Sequence, residues 1–272
     1  MNLNLISNNI RKLTVESIYQ AQSGHPGGSL SIAEILAVLY FKVMNVDANN
    51  PEDINRDRFV LSKGHCAPAY YATLALKGYF DVEDLSRLRS GHEELQGHPS
   101  MLKTKGVDFS TGSLGQGLSI ANGMALYAKK NNKDYKVFCL CGDGEIQEGQ
   151  IWEAAMFAPH YKLDNLIVIV DYNGLQIDGK VEDVMNHHSI SKKFESFNWD
   201  VIEVDGHDIK QLELALKTSY QKADKPTCIV AKTTKGKGVS FMENQAGWHG
   251  GAPNKEQFEM AMKDLCKGEC HD

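Results

Sequence analysis

The stretch that decides the fold reads Val137-Phe-Cys-Leu-Cys141 and runs directly into Gly142-Asp143-Gly144-Glu145. Short apolar runs of this kind alternate along the chain with longer segments of helical periodicity. Such alternation predicts an α/β fold, with a parallel sheet flanked by helices on both faces. Because ligands bind beyond the carboxyl ends of the strands in such sheets, the turn after Cys141 is a candidate binding site.

The periodicity predicts strands over residues 58–61, 136–141, 166–171, 199–204 and 227–232. Helices are expected over residues 3–22, 32–43, 68–77, 82–89, 117–130, 151–161, 209–222 and 255–266. Ser31, followed three residues later by Glu34, predicts a capping box that opens the second helix. No repeat, low-complexity stretch or long linker divides the sequence, so residues 1–272 are expected to form a single domain.

Two polar residues follow neighbouring predicted strands. Asn173 comes thirty positions after Asp143 and follows the run Leu166–Asp171. One strand–helix–strand unit has about that length, so the two side chains are expected to emerge at adjacent strand ends. One carboxylate and one amide oxygen make a poor cage for Mg²⁺, but a suitable partial shell for an ion already bound by phosphate oxygens. The pair therefore predicts a phosphate-linked metal site.

Histidine placement gives a second signal. Five of the ten histidines follow a glycine directly, where composition predicts about one: His25, His65, His92, His98 and His207. Glycine lets the backbone approach a ligand closely, and histidine exchanges protons near neutral pH. Any one of them could be a surface or capping residue, but as a group they indicate a functional role.

Composition excludes several classes of function. The net charge of −6 leaves no basic face, which argues against a nucleic-acid partner. No apolar run approaches the roughly 20 residues of a membrane-spanning helix. Residues 1–12 lack the order of a signal peptide, so a cytoplasmic location is expected. The six cysteines are expected to be reduced, and the tail carrying Cys266, Cys270 and His271 to be frayed rather than to bind a metal.

Seven motifs occur in the order that the transketolase family shows. They are Ser23-Gly-His25-Pro-Gly-Gly28, Leu61-Ser-Lys-Gly-His65, Gly97-His98-Pro99, Thr111-Gly-Ser-Leu-Gly-Gln-Gly117, Gly142-Asp-Gly-Glu-Ile-Gln-Glu-Gly149, Asp171-Tyr-Asn-Gly-Leu-Gln-Ile-Asp-Gly179 and Trp248-His249-Gly-Gly-Ala-Pro253. The chain therefore resembles the diphosphate-binding half of thiamine-diphosphate enzymes of that family. The resemblance extends from about residue 10 to residue 253 and covers nearly the whole chain.

The resemblance implies a role for individual residues. Asp143, Asn173 and the carbonyl of Leu175 would bind Mg²⁺ or Ca²⁺. Gly112, Gly144, His65, His249 and Asn173 would bind thiamine diphosphate. Leu114 and Ile177 would sandwich its thiazolium ring, the alternative being simple core packing. His25, His98 and His249 would be catalytic, lining the funnel above the reactive carbon.

Three further charged residues keep two interpretations each. Glu148 and Glu153 would lie at the contact between two cofactor sites, or they are solvated helix charges. Lys235 lies in a segment, Lys235-Gly-Lys-Gly238, that differs from full-length members of the family. It could reach a phosphate, but a solvated loop lysine is the expectation.

The resemblance also implies a partner. In the family, the glutamate that faces the aminopyrimidine ring and the arginines that hold the sugar phosphate belong to a later part of the polypeptide. We therefore expect a split enzyme, in which a C-terminal transketolase subunit carries the pyrimidine-binding half and the two chains form an α2β2 heterotetramer. The expected reaction moves a two-carbon ketol unit from a ketose phosphate to an aldose phosphate, in the pentose phosphate pathway.

Several alternatives stay open at the level of sequence. A ketolase for an unusual sugar, or an activity like that of 1-deoxyxylulose-phosphate synthase, would use the same cofactor. A nucleotide-binding domain is suggested by Gly112-x-x-Gly115-x-Gly117, although neither a preceding strand nor a suitably placed acidic residue supports it. A non-catalytic regulatory subunit would tolerate the loss of Asp143.

Overall fold

A five-stranded parallel sheet organises the chain, as the sequence predicts. The computed structural model describes residues 2–91, 94–222 and 224–267. In chain order the strands are β1 (Arg58–Leu61), β2 (Val137–Gly142), β3 (Leu166–Tyr172), β4 (Leu175–Gln176), β5 (Gly179–Lys180), β6 (Asp200–Asp205) and β7 (Thr227–Lys232). The sheet has the order β1-β2-β3-β7-β6, with every neighbouring pair parallel. Strands β4 and β5 form a separate antiparallel pair.

Ten α-helices are found among the described residues. They are α1 (Leu3–Ala21), α2 (Pro26–Leu30), α3 (Ala33–Val38), α4 (Ala67–Lys77), α5 (Gly117–Lys130), α6 (Gly149–His160), α7 (Val181–Met185), α8 (Ile190–Ser196), α9 (Ile209–Gln221) and α10 (Lys255–Lys267). Single 3₁₀ turns occur at Gly64–Cys66, Val82–Arg87, Glu145–Gln147 and Ala246–Trp248.

The sheet is covered on both faces, which explains its continuous apolar strands. On β2, the side chains of Phe138 and Leu140 face the cluster formed with α1, α3, α4 and α9. Those of Cys139 and Cys141 face the opposite cluster, formed with α5, α6 and α8. The alternation follows from the two-residue period of a strand, and it leaves only the strand ends free to carry polar chemistry.

The helix predicted over residues 32–43 is present, but its beginning and its last turn differ from the prediction. The chain forms α2 first, since Pro26 suits the opening turn of a helix. It then begins α3 and passes into a π-helical turn at Leu39–Val43. The predicted capping box is also absent, because the Ser31 hydroxyl lies 2.7 Å from Asp171 Oδ2 and 3.0 Å from Gly28 O, the two acceptors between which its one hydrogen is shared. The Glu34 carboxylate is instead paired with Arg11 at 2.6 Å.

Other sequence predictions have mixed outcomes. The segment predicted as a helix over residues 82–89 is a 3₁₀ helix that ends at Arg87. The described cysteines are free, with Cys66, Cys139, Cys141 and Cys228 buried and Cys266 exposed. Cys270 and His271 lie outside the described residues, so the interpretation of the tail stays a prediction. No described helix has the length and apolar character needed to cross a membrane.

Candidate active site

A cavity of about 210 Å³ opens at the carboxyl ends of β2 and β3. The register pairs Gly142 at the end of β2 with Asp171 on β3, so the residues that follow the two strands become neighbours. Ten of the residues singled out in the sequence line this cavity: His65, Leu114, Asp143, Gly144, Glu148, Asn173, Leu175, Ile177, Lys235 and His249. The tertiary structure therefore brings together segments that are far apart in the sequence.

Asp143 is held by backbone amides from both strand ends. Its Oδ1 accepts a hydrogen bond from Gly144 N at 2.9 Å, and its Oδ2 accepts one from Gly174 N at 2.6 Å. Burial, followed by the charge of Asp171, raises the pKa of the Asp143 carboxyl to about 7. A divalent cation beside the carboxylate would reverse this shift, because it stabilises the ionised form.

Asn173 is oriented from behind by a second carboxylate. Its Nδ2 donates to Asp171 Oδ2 at 2.9 Å, which assigns the other amide atom, Oδ1, as the acceptor. Oδ1 accepts from Leu175 N at 3.1 Å. Among the described residues there is no group of three or more His, Cys, Asp or Glu that could hold a metal ion. A cation here would therefore depend on Asp143, on neutral oxygens and on ligand oxygens.

Asp171 is the centre of a buried polar network that sequence reasoning missed. Its Oδ2 accepts hydrogen bonds from Lys63 Nζ at 2.5 Å and Ser31 Oγ at 2.7 Å, and Thr233 donates to Oδ1. Burial raises the pKa of this carboxyl, but the charge of Lys63 and the hydrogen bonds from Lys63, Thr233 and Ser31 together outweigh burial and hold the pKa below its usual value. The sequence signal that could have identified Asp171 is its place in the motif that also contains Asn173.

Two lysines are buried in the cavity wall. Lys63 is 2% exposed, and its Nζ also donates to Gly28 O at 3.1 Å. Lys235 is likewise 2% exposed, so the expectation of a solvated loop lysine is wrong. The loop folds inward because Gly236, at φ +76°, donates its N–H to Gly27 O.

Lys235 links two predicted site residues. Its Nζ lies 3.1 Å from Leu175 O and 2.9 Å from His249 Nδ1. Burial, and then the charge of Lys63, lowers the pKa of Lys235 to about 8. Since an ammonium can only donate, His249 accepts through Nδ1, and its Nε2 is the nitrogen that carries hydrogen.

Glu145 is a second buried carboxylate that the sequence did not single out. It accepts hydrogen bonds from Ser62 Oγ at 2.5 Å and from the backbone N–H groups of Gly115 and Gly142, each at 3.0 Å. Burial raises its pKa. Glu145 thus fixes the loop around Leu114 to the turn that carries Asp143.

Four histidines form a contiguous group, called here the histidine cluster: His25, His65, His98 and His249. The ring centroids of His25 lie 5.3 Å from His65, 5.6 Å from His249 and 6.4 Å from His98. Burial is the largest cause that lowers the pKa of all four, to about 4 for His25 and about 3 for His249. The cluster therefore consists of neutral imidazoles at neutral pH.

Gly112 supports the cluster, as a Cβ atom at this position would lie 3.1 Å from the His98 ring. Gly112 has φ +144°, a conformation that favours glycine. Leu114 and Ile177 are 37% and 66% exposed at the cavity, so neither is a simple core residue. Glu148 and Glu153 are exposed, at and after the start of α6.

Of the two remaining glycine–histidine pairs, the one with His207 lies outside the cavity wall. His207 Nδ1 lies 3.0 Å from Glu34 Oε2, and its Nε2 accepts from Thr234 N at 2.8 Å. This histidine is a structural residue, and the functional interpretation does not apply to it. His92 lies outside the described residues.

Comparisons with known proteins agree with the geometry. The family model "Transketolase, thiamine diphosphate binding domain" matches residues 3–267. An apulose-4-phosphate transketolase subunit of Phocaeicola vulgatus is 44% identical over 263 residues, which covers 97% of this chain and 93% of that protein. The 6-deoxy-6-sulfo-D-fructose transketolase subunit of Clostridium sp. strain MSTE9 is 45% identical over 261 residues and covers 96% and 95%.

Full-length transketolases match over part of their length. The crystal structure of the transketolase from Campylobacter jejuni superimposes with a TM-score of 0.92 at 37% identity, covering 98% of this chain and 43% of that one. The transketolase of Homo sapiens is 41% identical over 263 residues and 41% covered. This chain thus spans less than half of these two proteins, yet nearly all of the two subunits above. The chain belongs to the transketolase family, as a thiamine diphosphate binding domain.

Proposed function

We propose that this chain anchors thiamine diphosphate through a divalent cation and, with a second chain, transfers a two-carbon ketol unit from a ketose phosphate to an aldose phosphate. The observation that carries the proposal is the juxtaposition of Asp143 and Asn173 at adjacent strand ends, facing a cavity walled by two buried lysines. The match of the family model over residues 3–267 supports it.

The residues present fit a cofactor with an anionic tail. The Asp143 carboxylate, the Asn173 amide oxygen and the Leu175 carbonyl are hard oxygen donors of the kind that Mg²⁺ and Ca²⁺ prefer. Lys63 and Lys235 add positive charge to a wall that also carries the carboxyl groups of Asp143, Glu145, Glu148 and Asp178, and this excess of carboxyl groups favours a bound cation between the wall and an anionic ligand. His25 Nδ1 is buried and has no hydrogen-bond partner among the described atoms, which is consistent with a ligand that completes the site.

The cavity wall suggests how this chain would hold the coenzyme. The diphosphate would contact Gly144, His65 and His249, and a side chain at Gly144 would approach Gln176 Cβ to 3.1 Å. Leu114 and Ile177 offer apolar surface for the thiazolium ring. When bound, thiamine diphosphate supplies the electron-accepting centre that permits cleavage of a carbon–carbon bond.

The histidine cluster would handle protons and hydroxyl groups of the sugar. A neutral imidazole has one donor and one acceptor nitrogen, so His25 and His98 can each accept a proton from a hydroxyl or share one with it. His249, whose Nδ1 faces Lys235, is left with Nε2–H as a donor. His249 therefore offers a substrate only a hydrogen-bond donor, whereas His25 and His98 each offer one donor and one acceptor nitrogen.

A partner subunit follows from the names of the relatives, two of which are called transketolase subunits. We propose that the partner is a C-terminal transketolase subunit that supplies the pyrimidine-binding carboxylate and the phosphate-binding arginines. An α2β2 assembly would place Glu148 and Glu153, both exposed, near the contact between two cofactor sites. The single domain over residues 1–272 and the cytoplasmic location stay predictions.

The sugar substrates are the least constrained part of the proposal. One relative is named for apulose 4-phosphate and another for 6-deoxy-6-sulfo-D-fructose. These names favour an unusual ketose as a second candidate. Both candidates use the same reaction type and the same site residues.

A reconstitution experiment tests the proposal. The chain and its C-terminal partner are assayed with thiamine diphosphate and Mg²⁺, first on xylulose 5-phosphate with ribose 5-phosphate, then on apulose 4-phosphate and on 6-deoxy-6-sulfofructose. We expect turnover that requires both chains, the cofactor and the cation. Full cofactor occupancy without turnover of any ketose would contradict ketol transfer, whereas turnover of an unusual ketose alone would reject the standard substrates.

Calorimetry distinguishes the proposed function from the nucleotide-binding alternative. Loop 112–117 is held by Glu145 beside the cavity, so we expect heat of binding from thiamine diphosphate with Mg²⁺ and none from NAD or ATP. Binding of NAD or ATP in place of thiamine diphosphate would favour the alternative.

A further inference from the structure

Arg89 has a backbone conformation that arginine rarely adopts. Its φ is +61°, in the left-handed region, and its N–H donates to Leu95 O at 2.9 Å. For a residue other than glycine this conformation is strained, and it persists only where the surroundings impose it. The position therefore calls for a reason that lies in the side chain.

The Arg89 guanidinium packs against the peptide that precedes His98. Its Nη2 donates to Gly97 O at 3.3 Å. A Cβ atom at Gly97 would lie 2.7 Å from Arg89 Cζ and 3.0 Å from both Nη atoms, so only glycine leaves room for this contact. Arg89 Nε is buried and has no hydrogen-bond partner among the described atoms.

The same turn is held from the other side. Tyr71 Oη donates to Gln96 O at 2.9 Å and lies 3.1 Å from His98 O. Arg89 and Tyr71 therefore fix the backbone on which the His98 ring is mounted, and the ring itself rests against Gly112.

We propose that Arg89 is a positioning residue of the histidine cluster, seating the Gly97–His98 peptide and placing a fixed positive charge near His98 and His25. The role rests on the proposed function, in which both histidines contact the sugar. Arg89 acts through these histidines and is not itself a catalytic residue.

The electrostatics of the cluster agree with this role. After burial, the Arg89 charge is the next largest cause that lowers the pKa of His25 and the other cause that lowers that of His98. Among the described residues, the groups that face His25 are Arg89, His98, Lys235 and the rings of His65 and His249. Within the same part of the chain, Arg89 and the His25 ring face His98. A guanidinium stays charged at every working pH, so its effect does not fade as the histidines titrate.

Charge and shape can be separated by substitution. Arg89→Gln removes the charge and keeps a donor, Arg89→Lys keeps the charge and loses the planar fork, and Arg89→Gly relieves the left-handed backbone. Arg87→Gln, two residues earlier, is the matched control because its side chain is 59% exposed.

Histidine NMR titrations of the chain without its partner decide the electrostatic claim. We expect the pKa values of His25 and His98 to rise toward 6.5 in Arg89→Gln and Arg89→Gly, to stay low in Arg89→Lys, and to be unchanged in Arg87→Gln. Unchanged values in Arg89→Gln, or equal rises in Arg89→Lys and Arg89→Gln, would overturn the proposal. Arg89→Gly is expected to fold at least as well as the unchanged protein. If another variant misfolds, the titration of Arg89→Gly therefore still tests the electrostatic claim.

Activity of the reconstituted enzyme gives a second readout. In Arg89→Gln the acid limb of the pH–rate profile should move to higher pH, with turnover on that limb falling about tenfold per pKa unit. Arg89→Lys should restore the profile. If the enzyme shows no turnover with any ketose, the proposed function fails, while the titrations still decide the role of Arg89.

Discussion

Two buried ion pairs of nearly equal geometry lie in different parts of this molecule. Lys63 and Asp171 meet at 2.5 Å with side chains 2% and 0% exposed, at the strand ends beside the cavity. Arg11 and Glu34 meet at 2.6 Å with side chains 7% and 8% exposed, between α1 and α3. Burial and distance alone do not separate a binding site from a structural contact.

The two ion pairs differ in whether their residues direct hydrogen-bonding groups at the cavity. Asp171 orients Asn173, and Lys63 lines the cavity, so the first pair presents groups to a ligand. In the second pair Glu34 also binds His207, whose Nε2 accepts from Thr234 N, next to Lys235 in the sequence. The structural pair thus supports the loop that carries a site residue. A buried charge is evidence for function only when a donor or acceptor remains directed at a cavity.

The largest expected effect comes from Asp143→Asn or Asp143→Ala. Either change removes the one side-chain carboxylate proposed to bind the cation, so ketol transfer and cation-dependent cofactor binding should be abolished. The chain without ligand should lose little stability, because relief of the burial penalty on the carboxylate offsets the loss of the hydrogen bonds from Gly144 N and Gly174 N. Turnover and thermal unfolding measure the two effects.

The matched control for this change is Asp134→Asn, an exposed carboxylate near the opposite end of β2. It should leave activity and stability unchanged. Activity that survives in Asp143→Ala would favour the regulatory alternative.

The next effect compares Lys63→Met with Arg11→Met. Each leaves a buried carboxylate without its cation, which costs about 3–5 kcal/mol of unfolding free energy. The loss of unfolding free energy in Arg11→Met should lie at the lower end of this range, because His207 remains beside Glu34. Urea unfolding measures the cost.

Titration of both variants with thiamine diphosphate, at a temperature where both are folded, then tests whether the two ion pairs differ in function. Only Lys63→Met should weaken binding of thiamine diphosphate. Equal weakening in Arg11→Met would mean that the two pairs do not differ in function.

Acid sensitivity tests the structural pair by itself. Burial raises the pKa of Glu34, but Arg11 and His207 outweigh it and lower the pKa to about 2 from 4.5. A depressed carboxyl pKa contributes stability above pH 4.5 that is lost as the pH falls toward 2, in total about 3 kcal/mol. In Glu34→Gln the unfolding free energy should start lower at pH 7 and fall less steeply across this window. An unchanged slope in chemical unfolding would contradict the assignment.

The smallest effect concerns Lys235. Lys235→Met should lower the affinity for thiamine diphosphate by about tenfold to a hundredfold, the contribution of one or two hydrogen bonds to a charged group. Lys237→Met is the control, since its side chain is 38% exposed and lies 3.7 Å from Glu243. Calorimetry that gives equal affinities for the two variants would show that Lys235 does not contact the diphosphate.

Local pattern was sufficient for much of the fold. The five main strands were predicted because each is a short apolar run between helical segments, and buried parallel strands need no alternation. The helix predicted over residues 32–43 is present, but its capping box is absent because Ser31 and Glu34 bond to distant partners, Asp171 and Arg11. A capping motif predicts hydrogen bonds within one helix, but here its two side chains bond to residues that are distant in the sequence.

The spacing of Asp143 and Asn173 determined the location of the candidate site from the sequence alone, because one strand–helix–strand unit necessarily brings its two strand ends together. The burial and the contacts of Asp171, Glu145, Lys235 and Arg89 were decided only by the tertiary structure. Burial of a charge depends on which segments pack around it, and the Lys63–Asp171 pair joins residues 108 positions apart. Sequence periodicity carries no information on such contacts, whereas strand and helix repeats are set by neighbouring residues.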